Sequence, residues 1–375
     1  MKRNNSAFWY DKFNYWKINV QKDGIRKTFY SSTPGRIGCR ECNEKADAWL
    51  DDNVTDSKQK ILNLSEKYIE QLKLTTSRSH WAQYESYFNT WIDPAIGNVR
   101  IENITEQHFQ SIINKAYSKG LSKKTLQNMR GCMLNFLKFC RKCKVTTLFF
   151  EDLYIPKGAP TIEKTILQPA DINKLFNSDK TMFNGKPDKE LYINAYRLEV
   201  ATGLRPGEVL GLKWTDIKKR IVYLKRSINA YGETTRGKND NARRSFYLTD
   251  LALAVLKSQK DLLSDNNLTS EYIFCDKYGD NIKTQNYNKH WKKYYEYNNI
   301  PKTTPYELRH TFVSAVKSLP EGYLKQLVGH SKDMDTYGTY AHEIQGEQKA
   351  AAELVQNIFC EIFKAEKNKA EKSQK

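Results

Sequence analysis

Apolar and polar residues alternate in two short stretches near the start of the chain. In residues 15–20 every second position is apolar, and residues 25–30 follow after an Asp-Gly pair that favours a tight hairpin turn. In residues 42–50, by contrast, the apolar positions recur at helical spacing. We therefore expect residues 1–55 to form a small β-sheet with a helix covering one of its faces.

Residues 56–155 carry the 3.6-residue periodicity of amphipathic helices. Apolar residues share one face in residues 57–72 and again in residues 122–140. Thr105 and Ser122 are good N-caps for the helices that follow them. Gly120 is expected to end a helix, because glycine tolerates a positive φ. The pattern predicts a helical bundle with these apolar stripes in its core.

A polar segment with two prolines and a glycine, residues 156–166, predicts a linker to a third domain, residues 167–375. Near the end of that domain, residues 348–363 repeat apolar residues at helical spacing. The predicted apolar face contains Ala351, Leu354, Val355, Ile358, Phe359 and Ile362. It packs either on its own domain or on a neighbouring protomer, and both alternatives stay open. The charged tail from Lys364 onward is expected to fray.

Composition and charge narrow the class of protein. The 375 residues are 39% hydrophobic and 28% charged, which excludes a collagen-like or wholly disordered chain. They include 61 Lys and Arg against 43 Asp and Glu, a formal net charge of +18. This excess favours a nucleic acid as partner, because each neutralised phosphate releases counterions, although solubility alone is an alternative. Without an apolar run of membrane-spanning length or a signal core, we expect a cytoplasmic protein with no membrane association.

Basic residues concentrate on two predicted surfaces. On the sheet, they fall on the face opposite the apolar one: Lys17, Arg26 and Lys27. On the last helix of the bundle, they mark its beginning and its end: Lys123, Lys124, Arg141 and Lys142. Each surface is either a DNA contact or simply hydrated, and charge alone does not decide between the two.

The seven cysteines are an odd number, which is typical of reduced thiols. Two pairs, Cys39 with Cys42 and Cys140 with Cys143, have the spacing of zinc ligands. No histidine stands at finger spacing from either pair, and Cys140 fits the apolar face of a helix. We therefore expect neither a metal nor another cofactor.

Two clusters of polar residues lie in the first half of the third domain. Arg205 stands between Gly203, which ends one predicted helix, and Pro206, which begins the next, so that an anion bound there would meet both the guanidinium and the free N–H groups of the helix. Glu208 is placed to cap that helix or to hold Arg205. The second cluster is a long hairpin over residues 220–248, with Lys238 near its turn. Arg243 and Arg244 lie on its returning strand and are expected to contact DNA. A lysine in such a place is either hydrated or able to protonate a leaving oxygen.

Two more clusters follow. Thr304 and Glu307 form a capping box at the start of a predicted helix, on which Tyr306, Arg309 and His310 share a face by i, i+3 and i+4 spacing. Further along, Gly329 ends a helix and leaves His330 on the next turn, ahead of Tyr340 and His342. Each cluster alone is compatible with a purely structural role.

Together and in this order, the clusters resemble the signature of the tyrosine recombinases, the phage integrase family. The family shows an arginine in a T-G-x-R-x-x-E context, a hairpin lysine, an H-x-L-R-H-T box, an L-G-H box and a tyrosine ten residues after its histidine. Here the matching residues are Arg205 with Glu208, Lys238, Arg309 with His310, Gly329 with His330, and Tyr340. His342 follows the tyrosine as it often does in the family. One position departs from the pattern: Tyr306 replaces the first histidine of the H-x-x-R box, and it is a poorer acid and base near neutral pH.

The resemblance implies a multidomain, mostly α-helical protein with small β-sheets. It would comprise an N-terminal three-stranded arm-binding sheet with a helix, a helical core-binding domain and an α+β catalytic domain. Tyr340 would attack a scissile phosphate to give a 3′-phosphotyrosyl bond without metal or ATP. In that reaction Arg205 and Arg309 would clamp the phosphate with help from His330 and Tyr306, Lys238 would act as general acid, and Glu208 would orient Arg205.

The implied partners are double-stranded DNA with core-type and arm-type sites and a homotetramer of the chain on synapsed DNA. An excisionase or a host DNA-bending protein would be a further partner of such a mobile-element integrase. Two other functions stay open. A DNA-binding repressor derived from a recombinase would bind DNA without a covalent adduct, and a type IB topoisomerase would relax supercoils without needing a specific sequence.

Overall fold

The computed structural model describes residues 5–22, 24–51, 59–235, 243–320, 327 and 347–373. In these ranges the chain is mostly helical with small antiparallel sheets, which confirms the expected fold class. The helices are α1 (Gly35–Asp51), α2 (Ile61–Thr75), α3 (Arg78–Tyr87), α4 (Asp93–Ile96), α5 (Glu106–Ser118), α6 (Lys123–Lys142), α7 (Pro169–Asn177), α8 (Ile193–Thr202), α9 (Pro206–Leu210), α10 (Asp250–Asp265), α11 (Thr284–Tyr297), α12 (Pro305–Ala315) and α13 (Glu347–Ser373). The strands are β1 (Phe8–Tyr10), β2 (Tyr15–Lys22), β3 (Ile25–Ser31), β4 (Lys180–Phe183), β5 (Lys186–Lys189), β6 (Ile217–Lys218), β7 (Ile221–Leu224), β8 (Ser227–Ile228), β9 (Thr234–Thr235) and β10 (Arg244–Tyr247).

The chain divides into two compact units, Met1–Ile162 and Glu163–Lys375. The division falls inside the predicted linker. The buried apolar side chains of the described residues form three separate hydrophobic clusters. One lies between the N-terminal sheet and α1, the second lies among α2 to α6, and the third fills the second unit.

The N-terminal sheet has the strand order β1-β2-β3, and α1 covers one of its faces. Ile18 and Val20 are buried on that face, as their alternation predicted. The expected position of Lys27 is wrong. Directly paired residues of an antiparallel sheet share a face, and Lys27 pairs with Val20 whereas Arg26 pairs with Gln21. Lys27 therefore lies on the helix side, with its Nζ 5.7 Å from the Trp49 ring centroid, while Lys17 and Arg26 lie on the outer face.

The helical bundle begins and ends its helices largely where local sequence chemistry requires. Thr105 and His108 form a capping box, and the Ser122 hydroxyl accepts a hydrogen bond from the backbone N–H of Thr125. Both predicted N-caps are thus confirmed. Between α3 and α4 the chain makes a π-helical turn, Phe88–Ile92, directly before Pro94. Because proline has no N–H to donate back along a helix, a local change of hydrogen bonding is expected just before it.

Each end of the linker is fastened to the unit it joins. On one side, the carbonyl of Pro160 accepts a hydrogen bond from the N–H of Lys123. On the other, the N–H of Thr165 donates to the Glu307 carboxylate and that of Leu167 donates to the Thr311 hydroxyl. Residues 161–165 between these attachments are exposed.

In the second unit, β10 pairs antiparallel with β7 and closes the predicted long hairpin, whose inner part is the β8–β9 pair. The buried helix α8 lies against α10 and α12. Strand β10 contributes Phe246 to the hydrophobic cluster of the second unit. This arrangement brings the ends of α8, α9, β10 and α12 together.

Helix α13 packs on its own unit through Ala351, Val355 and Phe359. Two details of the prediction are wrong. Leu354 is 41% exposed, because it lies at the edge of the apolar stripe rather than in it. The tail from Lys364 is helical to Ser373, since it consists mainly of good helix formers and includes an ion pair between Lys369 and Glu366.

Two absences apply to the described ranges only. None of their helices has the length and apolar character that crossing a membrane requires. Within the same ranges, no three His, Cys, Asp or Glu side chains are grouped as metal ligands would be. Cys42 and Cys140 instead lie buried in the two hydrophobic clusters of the first unit.

Candidate functional site: a cluster of arginines around one carboxylate

Arg205 is positioned by the change of direction between α8 and α9. Gly203 ends α8 with a φ of 67°, a left-handed conformation that glycine adopts without strain. Pro206 then begins α9, for which Arg205 is the N-cap residue. The Arg205 side chain is 25% exposed and remains accessible to a ligand.

Glu208 is the centre of the cluster. Its Oε2 accepts hydrogen bonds from the backbone N–H of Arg205 at 2.9 Å and from Arg244 Nη2 at 3.1 Å. Its Oε1 accepts from Arg205 Nη1 at 2.8 Å and from Arg244 Nη1 at 3.0 Å. Burial alone raises the pKa of the Glu208 carboxyl, but the bonds and charges of Arg244 and then Arg205 outweigh it and lower the pKa below its usual value. Glu208 is therefore ionised at neutral pH.

Arg309 comes to the same place from α12. The capping box of Thr304 and Glu307 fixes the start of that helix, as the sequence predicted. One turn later, Arg309 is 3% exposed and its Nη1 donates to the carbonyl of Gly203 at 2.6 Å. Burial and the nearby charge of Arg205 lower the pKa of Arg309 to about 10, so that it stays protonated at neutral pH. Among the described residues, three guanidinium groups thus lie around the Glu208 carboxylate, so that positive groups outnumber negative ones there.

Tyr306 and His310 lie on the more accessible side of α12. Their rings meet edge to face with centroids 5.2 Å apart, and Tyr306 is 46% exposed. Desolvation, together with the charges of Lys164 and Arg309, lowers the pKa of His310, which favours the neutral imidazole near pH 7. The structure therefore places Tyr306 where its hydroxyl remains accessible.

Four of the sequence-predicted residues, Lys238, His330, Tyr340 and His342, lie outside the described residues. The described ones, Arg205, Glu208, Arg309 and Tyr306, come together from α9 and α12. Their proximity depends on the packing of α12 against α8, which a linear sequence does not display.

The basic residues predicted to touch DNA occupy different environments. Lys17, Arg26, Lys123, Lys124, Lys142 and Arg243 are exposed or partly exposed. Arg141 is held in place, since its Nη1 donates to the Leu148 carbonyl and its guanidinium lies 3.9 Å from the Phe149 ring centroid. Arg244 differs most from the expected DNA contact, because its side chain is 9% exposed and bonded to Glu208. Sequence reasoning missed this pairing, although the position of Arg244 on a strand closing the hairpin was visible.

The chain belongs to the phage integrase family, the tyrosine recombinases. The phage integrase family profile matches residues 165–347, and the N-terminal SAM-like domain of phage integrases matches residues 63–117. A curated relative is the "Tyrosine recombinase XerC-like" protein of Caldanaerobacter subterraneus subsp. tengcongensis. It is 22% identical over 376 residues, covering 89% of this chain and 92% of the relative.

Solved structures share the fold. The Tn1549 transposon integrase in complex with transposon right end DNA has a TM-score of 0.60 at 18% identity, over 79% of this chain and 99% of that one. A lambda integrase dimer bound to a core site has a TM-score of 0.57 at 15% identity, over 92% of this chain and 99% of that one. At these identities the likeness concerns the fold.

Proposed function

We propose that this chain is a site-specific DNA recombinase that cuts and rejoins DNA through a 3′-phosphotyrosyl intermediate on Tyr340. The observation that carries the proposal is the arrangement of Arg205, Arg244 and Arg309 around Glu208, in which guanidinium groups outnumber carboxylates among the described residues of a partly open site. Such a site stabilises an anion that gains charge in its transition state. A phosphodiester under nucleophilic attack is an anion of this kind.

In the proposed reaction the hydroxyl oxygen of Tyr340 attacks the scissile phosphorus and loses its proton. The bond between phosphorus and the 5′-oxygen breaks, and Lys238 protonates that oxygen so that it leaves as a hydroxyl. Arg205 and Arg309 hold the non-bridging oxygens, and His330 and Tyr306 donate further hydrogen bonds to them. The reverse attack by a 5′-hydroxyl of another strand rejoins the DNA, and no external energy source is required.

Double-stranded DNA is the proposed partner, with four copies of the chain acting on two duplexes. The relatives support this: one structure of lambda integrase is a tetramer bound to a Holliday junction, at a TM-score of 0.55. The helical region of residues 56–155 would hold the core-type site, and residues 1–55 would hold a separate arm-type site. This organisation favours an integrase of a phage or conjugative element that performs integration and excision, with an excisionase or a host DNA-bending protein as a further partner.

The test is the capture of the covalent intermediate on a nicked suicide substrate built from the joined ends of the element. We expect a protein–DNA adduct that survives denaturation and forms in EDTA. The Tyr340→Phe variant should bind the same DNA without forming the adduct. Tyr337→Phe is the matched control, because it removes the same hydroxyl three residues away and should leave the adduct in place.

Two outcomes would contradict the proposal. Specific binding without any adduct would identify a DNA-binding protein that has lost its chemistry. An adduct on any duplex, with relaxation of supercoils, would identify a topoisomerase.

Independently, removing residues 1–55 should abolish binding to arm-type sites and leave cleavage of core-type sites. An unchanged affinity for arm-type DNA would refute the arm-binding role.

A further inference from the structure

The guanidinium of Arg244 makes three hydrogen bonds within the described residues. Nη1 and Nη2 donate to the two oxygens of Glu208 at 3.0 and 3.1 Å, and Nε donates to the carbonyl of Leu327 at 3.1 Å. A bidentate pair of this geometry needs the planar guanidinium, which a lysine does not reproduce. The side chain is 9% exposed, compared with 25% for Arg205. Arg244 is therefore oriented toward Glu208, whereas Arg205 is the more accessible of the two arginines.

The two arginines share Glu208 unequally. Arg244 reaches both carboxylate oxygens with its side chain, whereas the Arg205 guanidinium reaches Oε1 through Nη1. Accordingly, Arg244 contributes more than Arg205 to the lowered pKa of Glu208. One carboxylate neutralises about one guanidinium. If Arg244 supplies that balancing charge, Glu208 neutralises less of the charge of Arg205.

We propose that Arg244 is a positioning residue: it balances the charge of Glu208 and so keeps Arg205 both oriented and positively charged toward the scissile phosphate. This inference rests on the proposed function. It places Arg244 in the arginine site, which we define as Arg205, Glu208, Arg244 and Arg309. Arg244 is then no longer a candidate for a direct contact with DNA. Without Arg244, Arg205 is the remaining described guanidinium that is hydrogen-bonded to Glu208, and the net positive charge of the site falls by one.

The test is a pair of substitutions with opposite effects on charge. Arg244→Gln should lower the rate of adduct formation on the suicide substrate about a hundredfold, because Arg205 is then neutralised by Glu208. Adding Glu208→Gln restores the net charge of the unchanged site, and the glutamine oxygen still accepts the hydrogen bond from the Arg205 backbone N–H. The double variant should therefore cleave about tenfold faster than Arg244→Gln alone. A residue that only stabilises the fold predicts the reverse, since each substitution removes further hydrogen bonds.

Arg226→Gln is the matched control. Arg226 also bonds a buried carboxylate and a backbone carbonyl, those of Asp216 and Gly211. Its loss should lower thermal stability as the loss of Arg244 does, while the cleavage rate per folded molecule stays within about twofold. The inference is overturned if Arg244→Gln cleaves like Arg226→Gln, or if the double variant is slower than Arg244→Gln.

A second measurement does not depend on cleavage. In the Tyr340→Phe background, core-site DNA is compared with the same DNA carrying a neutral methylphosphonate at the scissile position. Removing this charge should weaken binding about tenfold, Arg244→Gln should abolish most of that difference, and the added Glu208→Gln should restore it. No difference in the Tyr340→Phe parent overturns the inference. A chain that forms no adduct but shows the full pattern would refute the proposed function and retain the role of Arg244.

Discussion

Replacement of Gly203 by alanine tests whether the turn between α8 and α9 holds the arginine site in place. At this position alanine would adopt a left-handed conformation, which costs an L-residue about 1–2 kcal/mol. Its Cβ would lie 2.3 Å from Cδ1 of Phe312. The ring of Phe312 is buried and has little room to move, so that overpacking costs about 1–3 kcal/mol more. We expect the free energy of unfolding of the second unit to fall by about 2–5 kcal/mol.

Gly185→Ala separates the two contributions. Gly185 has a φ of 78°, but nothing lies within 4 Å of the added Cβ. Its replacement should therefore cost only the conformational part, about 1–2 kcal/mol. Urea unfolding of the full chain, followed by circular dichroism, measures both variants. Equal losses for Gly203→Ala and Gly185→Ala would refute the argument from the Phe312 contact.

Gly203→Ala should also affect the arginine site, because the carbonyl of Gly203 accepts the hydrogen bond from Arg309 Nη1. A shift of this carbonyl moves the guanidinium that we expect to hold the phosphate. The Gly203→Ala variant should then form the covalent adduct about a hundredfold more slowly at a temperature where it is folded. Gly185→Ala should cleave at the rate of the unchanged chain, and a normal rate for Gly203→Ala would show that this hydrogen bond does not position Arg309.

Three further predictions concern single side chains. Phe359→Ala should lower the free energy of unfolding by about 3–5 kcal/mol, measured in urea, whereas exposed Leu354 tolerates alanine within about 0.5 kcal/mol; a similar loss for both would contradict the packing of α13. Tyr306→Phe keeps the ring contact with His310 but removes the hydroxyl, and should slow adduct formation about tenfold with unchanged DNA affinity; an unchanged rate would exclude Tyr306 from the reaction. Burial raises the pKa of Glu199 well above its usual value, so that the contribution of its protonated carboxyl to the free energy of unfolding is complete below about pH 4.5 and is lost as the pH rises toward the folded-state pKa. Glu199→Gln should flatten this decline, measured by urea unfolding at several pH values. An unaltered slope would refute the prediction.

Local chemistry made much of the fold predictable. The N-caps Thr105, Ser122 and Thr304 each act through a side chain and a backbone group three residues away, so that a short stretch of sequence contains the whole interaction. The hairpin of β2 and β3 is visible for the same reason. By contrast, the prediction that Lys27 lies on the outer face of the sheet is wrong. Two consecutive strand residues, Arg26 and Lys27, necessarily point to opposite faces.

Three members of the arginine site were predictable from the sequence, whereas its fourth member, Arg244, and the connections among them were not. The order of motifs identified Arg205, Glu208 and Arg309. The bond between Arg244 and Glu208 joins residues that are 36 positions apart, and it depends on where β10 meets α9. The sequence alone predicts Arg244 as a DNA contact, together with its neighbour Arg243. Burial reverses that interpretation, and burial is a property of the packed fold.

The attachment of the linker to α12 has a mechanical consequence. The backbone of Thr165 and that of Leu167 are bonded to Glu307 and Thr311, two side chains one helical turn apart. The incoming chain therefore runs along the helix that carries Arg309, and the carboxylate that caps this helix is also its point of attachment. A force pulling on the linker would act on the first turn of α12 through the hydrogen bond between the Thr165 N–H and the Glu307 carboxylate. Tension in the linker and the geometry of the arginine site are thus mechanically coupled.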